Sequence, residues 1–143
     1  MEHIPADILD KVKAFMATGI PFNRFVGIQI AALESGRAVL EIPFRDDLIG
    51  DPFRPAIHGG VIATLVDTAG GAALFTCVEV GDRLSTVDLR IDYLRPAGRA
   101  DLRAEAEVIR LGNRVGVVRV LVFSGASRDP VAQGVGVFNV RRS

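Results

Sequence analysis

The run from Gly59 to about Val78, GGVIATLVDTAGGAALFTCV, has the length of a helix and is apolar on every side. A helix without a polar face has to be covered all round. The rest of the chain must therefore supply a surface that wraps it. With 143 residues, 49% of them hydrophobic, the chain is sized for one core; a domain of about 150 residues buries roughly 68–70% of its unfolded surface. We expect a single domain over 1–143, with the central helix at 58–79.

The wrapping surface is readable after Gly81, where the period changes. In TVDLRIDYL, Val87, Leu89, Ile91 and Tyr93 alternate with Thr86, Asp88, Arg90 and Asp92, the two-residue repeat of a half-buried strand. ADLRAEAEVIR continues it with Leu102, Ala104, Ala106 and Val108 on one side. Turn signals at Gly112-Asn113 and Asp129-Pro130 lead into VGVVRVLVFSG and VAQGVGVFNVRR, two further strands. In the first of these, Val115, Val117, Leu121 and Phe123 share a face with Arg119, and Gly116, Val118, Val120 and Val122 form the other. Both faces are apolar. One helix covers one face of a sheet, so the second predicts a partner subunit.

Before the central helix, Ile8, Leu9, Val12, Phe15 and Met16 recur at helical spacing, with Gly19 and Pro21 as a stop. This predicts an amphipathic helix from Pro5 to Thr18, within an N-terminal helical region 1–20. GIQIAALES and RAVLEIPF flank Ser35-Gly36 and read as a hairpin, and RDDLIGDPFRPA reads as a loop. The expected class is α+β.

Charge and composition narrow the function. Seventeen basic and seventeen acidic residues, scattered along the chain, leave no footprint for a nucleic-acid backbone or an anionic membrane surface. No run reaches the 18 or so apolar residues of a membrane-spanning helix. The N-terminus lacks a basic start and apolar middle, so a cytoplasmic location is expected. One cysteine, Cys77, and two histidines, His3 and His58, cannot build a Cys/His metal cluster. Neither a GxSxG elbow nor a GxxxxGK phosphate loop is present.

What remains is Asp67. Its helical neighbours Ala63, Thr64, Gly70 and Gly71 offer it no basic partner. Burial strips water from a carboxylate and strengthens its hold on a proton. Gly70 and Gly71 each weaken the helix by about 1 kcal/mol relative to alanine, which points to close approach of a ligand or to packing on a sheet. At the helix start, His58-Gly59-Gly60 exposes amides with a partial positive charge, and such donors stabilise an oxyanion. Gly59 and Asp67 are about 12 Å apart along the helix at 1.5 Å per residue. One acyl carbon cannot reach both. From the residues alone, the favoured reading of Asp67 is a structural carboxylate and that of His58 a structural hydrogen-bonder.

HGGVIATLVDTAGG, with its aspartate nine positions after the histidine, and STVDLRIDYLRPAG after it resemble the hotdog-fold acyl-CoA thioesterases of the phenylacetate-pathway type, from about Phe22 to Val140. The resemblance implies a long helix wrapped by an antiparallel sheet of about five to six strands. It implies hydrolysis of an acyl-CoA, aromatic or of short to medium chain, with Asp67 as general base or nucleophile, the Gly59 amide as oxyanion donor, His58 at the loop and Thr86 holding water. Gly60, Val87 and Arg114 would contact substrate. No metal and no cofactor is implied beyond the coenzyme A of the substrate. Sites shared between subunits, in a homotetramer built as a dimer of dimers, would account for the separation of Gly59 and Asp67.

One position departs from the pattern. Many relatives carry an asparagine six residues before the histidine, where this chain has Pro52, preceded by Asp51. A hotdog hydratase or dehydratase and a non-catalytic acyl-CoA-binding module are the alternatives. Phe22, Phe25 and Phe75 are candidates for limiting the acyl group, with core packing as the competing role.

Overall fold

The computed structural model describes residues 5–143. His3 and the first residues of the expected N-terminal helical region lie outside the described residues. Eight strands and three α-helices follow in the order α1 (Ala6–Ala14), α2 (Pro21–Val26), β1 (Gln29–Glu34), β2 (Arg37–Ile42), β3 (Ile49–Asp51), β4 (Ala56–Ile57), α3 (Gly59–Phe75), β5 (Arg83–Tyr93), β6 (Leu102–Leu111), β7 (Val115–Ser124) and β8 (Ala132–Arg141). The main sheet is antiparallel with order β1-β2-β6-β7-β8-β5, and β3 and β4 form a separate small ribbon. α3 lies against β2, β6 and β7 in the middle of that sheet. This is the hotdog fold.

The alternation read from the sequence decides which residues meet α3. Leu102, Ala104 and Ala106 of β6 and Val118, Val120 and Val122 of β7 are buried beneath the helix with Leu65, Val66 and Ala69. The opposite face of β7 is less apolar in context than its own sequence suggested. Arg119 pairs there with Glu107 of β6, and Arg103 with Glu105, so charged pairs interrupt Val117, Leu121 and Phe123.

Four local expectations need correction. The N-terminal helix does not stop at Thr18 but widens into a π-helical turn at Phe15–Gly19. Pro21 opens a second helix, α2, at its first position, where the missing amide and fixed φ of proline cost nothing. α3 ends at Phe75, short of Glu79: the Thr76 hydroxyl donates to the Ala73 carbonyl at 2.6 Å and accepts from the Gly36 amide at 2.8 Å, fixing the helix end to the β1–β2 turn. The loop before His58 contains a 3-10 turn, Asp46–Leu48, and the β3–β4 ribbon.

Nor is α3 buried all round. Ile62, Leu65, Val66, Ala69, Gly70, Ala72, Ala73 and Leu74 are buried. Gly60, Thr64, Asp67, Gly71 and Phe75, at successive helical turns, make a half-open stripe. Phe75 is 46% exposed, and Phe22 and Phe25 are 53% and 75% exposed on α2, so none of the three is a core residue.

Candidate active site

The half-open stripe of α3 faces the start of β5. Strict alternation would put Thr86 on the outer face of the sheet with Asp88, Arg90 and Asp92. Instead the β5–β8 register runs Thr86↔Phe138 and then Asp88↔Val137, leaving Val87 as an extra residue. A β-bulge of this kind re-aims the side chains beside it. Thr86 thereby shares the inner face with Phe138, and its hydroxyl donates to Asp67 Oδ1 at 2.7 Å. Val87 is turned out and is 67% exposed. The bulge thus creates the Asp67–Thr86 pair.

Thr86 is the one hydrogen-bond partner of Asp67 among the described residues. Asp67 is half-buried, and its second oxygen is left for an incoming proton or electrophile. Thr64, one turn before it, is occupied, since its hydroxyl donates to the Gly60 carbonyl at 2.9 Å.

The helix start is assembled from three directions. The His58 amide donates to Leu48 O at 2.8 Å and the Ile57 amide to Ala97 O at 2.8 Å. The His58 side chain caps the helix by accepting from the Gly60 amide at Nδ1, at 2.8 Å. Val61 N–H goes to the His58 carbonyl at 2.9 Å. These contacts leave the Gly59 amide, the first N–H of α3, without an acceptor among the described residues. The Gly60 amide, expected to meet substrate, is already engaged.

They also define the histidine. With Nδ1 accepting, the neutral ring carries its proton on Nε2, so His58 can donate a hydrogen bond but has no free basic nitrogen.

Tyr93, read in the sequence only as a strand residue, closes this end of the site. Its hydroxyl donates to the Gly59 carbonyl at 3.0 Å, and a Cβ at Gly59 would lie 3.3 Å from the Tyr93 ring. The contact spans 34 positions, and no local spacing announces it.

Other expected residues lie apart. Arg114 is in the β6–β7 turn, where its carbonyl accepts from the Val140 amide. That turn adjoins Gly116, which packs on Leu74 near the far end of α3 from Gly59. Pro52 sits in the β3–β4 turn, and Asp51 Oδ1 accepts from the amides of Phe53 and Arg54 at 3.0 and 3.2 Å. Asp51 is therefore committed to its own turn. Among the described residues no group of three or more His, Cys, Asp or Glu could hold a metal ion, and no helix is long and apolar enough to cross a membrane.

A cleft of 360 Å³ opens beside Asp67 and Thr86 and runs between α3 and the N-terminal helical segment. Ligand pockets commonly enclose about 300–1,000 Å³. Asp67 and Asp82 both line it, and apolar side chains make up most of the remaining wall.

A hotdog sheet around a helix that carries such a pair defines a class, and the chain's relatives give the family. Residues 55–131 match the thioesterase superfamily, and the chain belongs to it. The medium/long-chain acyl-CoA thioesterase YigI of Escherichia coli K12 is 35% identical over 117 residues, 71% of this chain and 74% of its own. Acyl-coenzyme A thioesterase 13 of Pongo abelii is 29% identical over 139 residues, 94% of each chain. Among solved structures, a mutant of the phenylacetic acid degradation protein PaaI from Thermus thermophilus superposes with a TM-score of 0.74 at 31% identity, over 87% of this chain and 100% of that one.

Proposed function

We propose that this protein hydrolyses acyl-CoA thioesters to a free acid and coenzyme A, with Asp67 as the reacting carboxylate. The observation that supports this most directly is the Thr86–Asp67 hydrogen bond of 2.7 Å, made through the bulge at Val87. It fixes one carboxylate oxygen and leaves the other to take a proton from water or to attack the acyl carbon. If water attacks, its hydroxyl adds to the acyl carbon, the C–S bond breaks, and the proton taken by Asp67 passes to the sulfur of coenzyme A. If Asp67 attacks, the C–S bond breaks to leave a mixed anhydride on Asp67, and one water then supplies a proton to the departing thiolate and a hydroxyl that cleaves the anhydride, releasing the free acid.

The Gly59 amide is the oxyanion donor, and Tyr93 and the β3–β4 ribbon hold the helix start in place. A preorganised donor of this kind contributes about 2.7–4 kcal/mol of transition-state stabilisation. Gly59 and Asp67 of one chain, about 12 Å apart along α3, cannot act on one carbonyl. The site is therefore composed from two copies, the Gly59 of one facing the Asp67 of the other. The edge of β5, which among the described residues pairs only with β8, is the surface through which two sheets can join in this way. Coenzyme A enters as part of the substrate, and the step needs no metal or further cofactor.

The His58 geometry favours hydrolysis over reversible hydration of an enoyl thioester, because a histidine base needs the nitrogen that here accepts from Gly60. An Asp67→Asn variant is expected to lose roughly 10³-fold in kcat, the middle of the range for general acid–base groups, while keeping its melting temperature. Full activity in that variant would refute the assignment. Single-turnover hydrolysis in heavy-oxygen water distinguishes the two forms of the step: label in the Asp67 peptide marks direct attack, and label in the acid alone marks an activated water.

A further inference from the structure

The cleft beside Asp67 is built from parts that the hydrolytic step does not use. Along α3 its wall is Asp67, Gly71 and Phe75, at successive turns and spanning about 12 Å of helix. Met16 and Ile20 of the N-terminal segment close the other side. Met16 lies in the π-helical turn Phe15–Gly19, and such turns concentrate at functional sites. The turn is held rigidly: Asn23, 5% exposed, donates from Nδ2 to the Met16 carbonyl at 2.8 Å.

The adjacent glycines of α3 separate packing from binding. A Cβ on Gly70 would lie 2.7 Å from a Val118 methyl, so the sheet itself requires glycine there. A Cβ on Gly71 would find its nearest atom, on the Phe138 ring, at 3.6 Å, an ordinary contact. Packing does not require Gly71, a glycine in a helix interior is unfavourable, and its missing side chain opens onto the cleft.

We propose that this cleft is the acyl-chain pocket, that Gly71 keeps it open, and that Met16 and Ile20 set the length it accepts. At about 30 Å³ for each water-sized group, 360 Å³ holds about a dozen heavy atoms. After the thioester oxygen and sulfur, that leaves about ten carbons. The substrate class is a medium-chain, apolar acyl-CoA. The proposal rests on Asp67 as the reacting carboxylate, because it runs the chain from that end of the cleft toward Met16.

The test is kcat/KM for straight-chain acyl-CoAs from acetyl to palmitoyl, on the full chain and on Gly71→Leu and the double variant Met16→Ala with Ile20→Ala. The unmodified protein should peak near decanoyl-CoA. Gly71→Leu should lower the decanoyl-to-hexanoyl ratio by about tenfold or more, the low end of what a few methylenes in a tight pocket discriminate. The double variant should move the peak toward myristoyl-CoA. Gly71→Ala should raise the melting temperature; a fall would mean that the glycine serves packing and would overturn its assigned role.

If the unmodified protein cleaves acyl-CoAs but neither variant moves the profile, the pocket assignment is wrong and the hydrolysis reading stands. A changed mass by light scattering with an unmoved profile would mean that a second copy fills the cleft, which also overturns it. No cleavage of any ester by the unmodified protein removes the hydrolysis reading, and the pocket falls with it.

Discussion

Two aspartates line the cleft beside α3, and the two are bonded differently. Asp82, in the loop after α3, has a side chain only 2% exposed. Its Oδ1 accepts from the Ser143 amide, and its Oδ2 accepts from the Glu79 amide and from Arg142 Nη1, each at 3.0 Å. Asp67, half-buried on the helix itself, accepts one bond, from Thr86. A carboxylate whose lone pairs are filled by backbone and guanidinium donors is part of the scaffold. One held by a single hydroxyl keeps capacity for a reacting atom. The same residue type thus closes the loop after α3 in one place and is free to act on the helix in the other.

Exchanging the two roles would break this contrast. Asp67→Asn should remove roughly 10³-fold of kcat with the fold intact, whereas Asp82→Asn should lower the melting temperature and leave kcat of the folded protein near its original value. Activity assays paired with thermal unfolding of both variants check this. An Asp67→Asn protein that loses stability and keeps activity would put the free carboxylate in the scaffold instead.

Gly70 carries the next largest effect. Its Cβ would meet Val118 at 2.7 Å in a part of the core where Val118 has 0% exposure, and overpacking of this kind costs about 1–3 kcal/mol. Gly70→Ala should therefore unfold at lower denaturant with an unchanged m-value. Set beside Gly71, one position along, it measures how abruptly α3 passes from packed to open.

Where the sequence could be read correctly, a periodic pattern extended over many residues. α3 and the inward sets of β6 and β7 follow from the change of period at Gly81. The pattern failed where one residue broke it. At Val87 the bulge reverses the inner and outer faces of β5, so plain alternation places Thr86 on the wrong side; resemblance to a known family implied a water-holding role for it without the reason. Pro21, read in the sequence as a stop, is the first residue of a second helix. Cys77 and Val78 continue an apolar run that Thr76 has already ended. Tyr93 on Gly59 and Asn23 on Met16 are contacts made by folding, and nothing in their local sequence marks them. The cleft is of the same kind, since its walls come from three distant parts of the chain.

Thr86→Val sharpens the account of Asp67 itself. The hydroxyl donates to a charged acceptor, but Thr86 is exposed and water can replace part of the bond. About tenfold in kcat is expected, near the upper end of the roughly 0.5–1.5 kcal/mol that an ordinary hydrogen bond contributes, with little change in KM. Thr86→Ser should recover most of it. Full activity in Thr86→Val beside a loss in Thr86→Ser would mean that the threonine methyl matters and the hydrogen bond does not.

The smallest expected effect is a pH dependence confined to Asp82. The Ser143 amide does most to hold its carboxyl below the ordinary value of 3.8; burial opposes this, and the Glu79 amide and Arg142 add to the lowering. A carboxyl with a folded pKa below its unfolded one binds its proton more readily when unfolded. Its stabilisation is then complete above the unfolded pKa and is lost as pH falls through the folded one. The melting temperature of the unmodified protein should therefore fall as pH drops below about 4, and the gap between it and Asp82→Asn should narrow over that interval. Above about pH 6 the gap should be constant, because both pKa values lie well below it. A gap that stays unchanged through the acid range would mean that Asp82 is held equally well protonated, and the contrast with Asp67 would then rest on geometry alone.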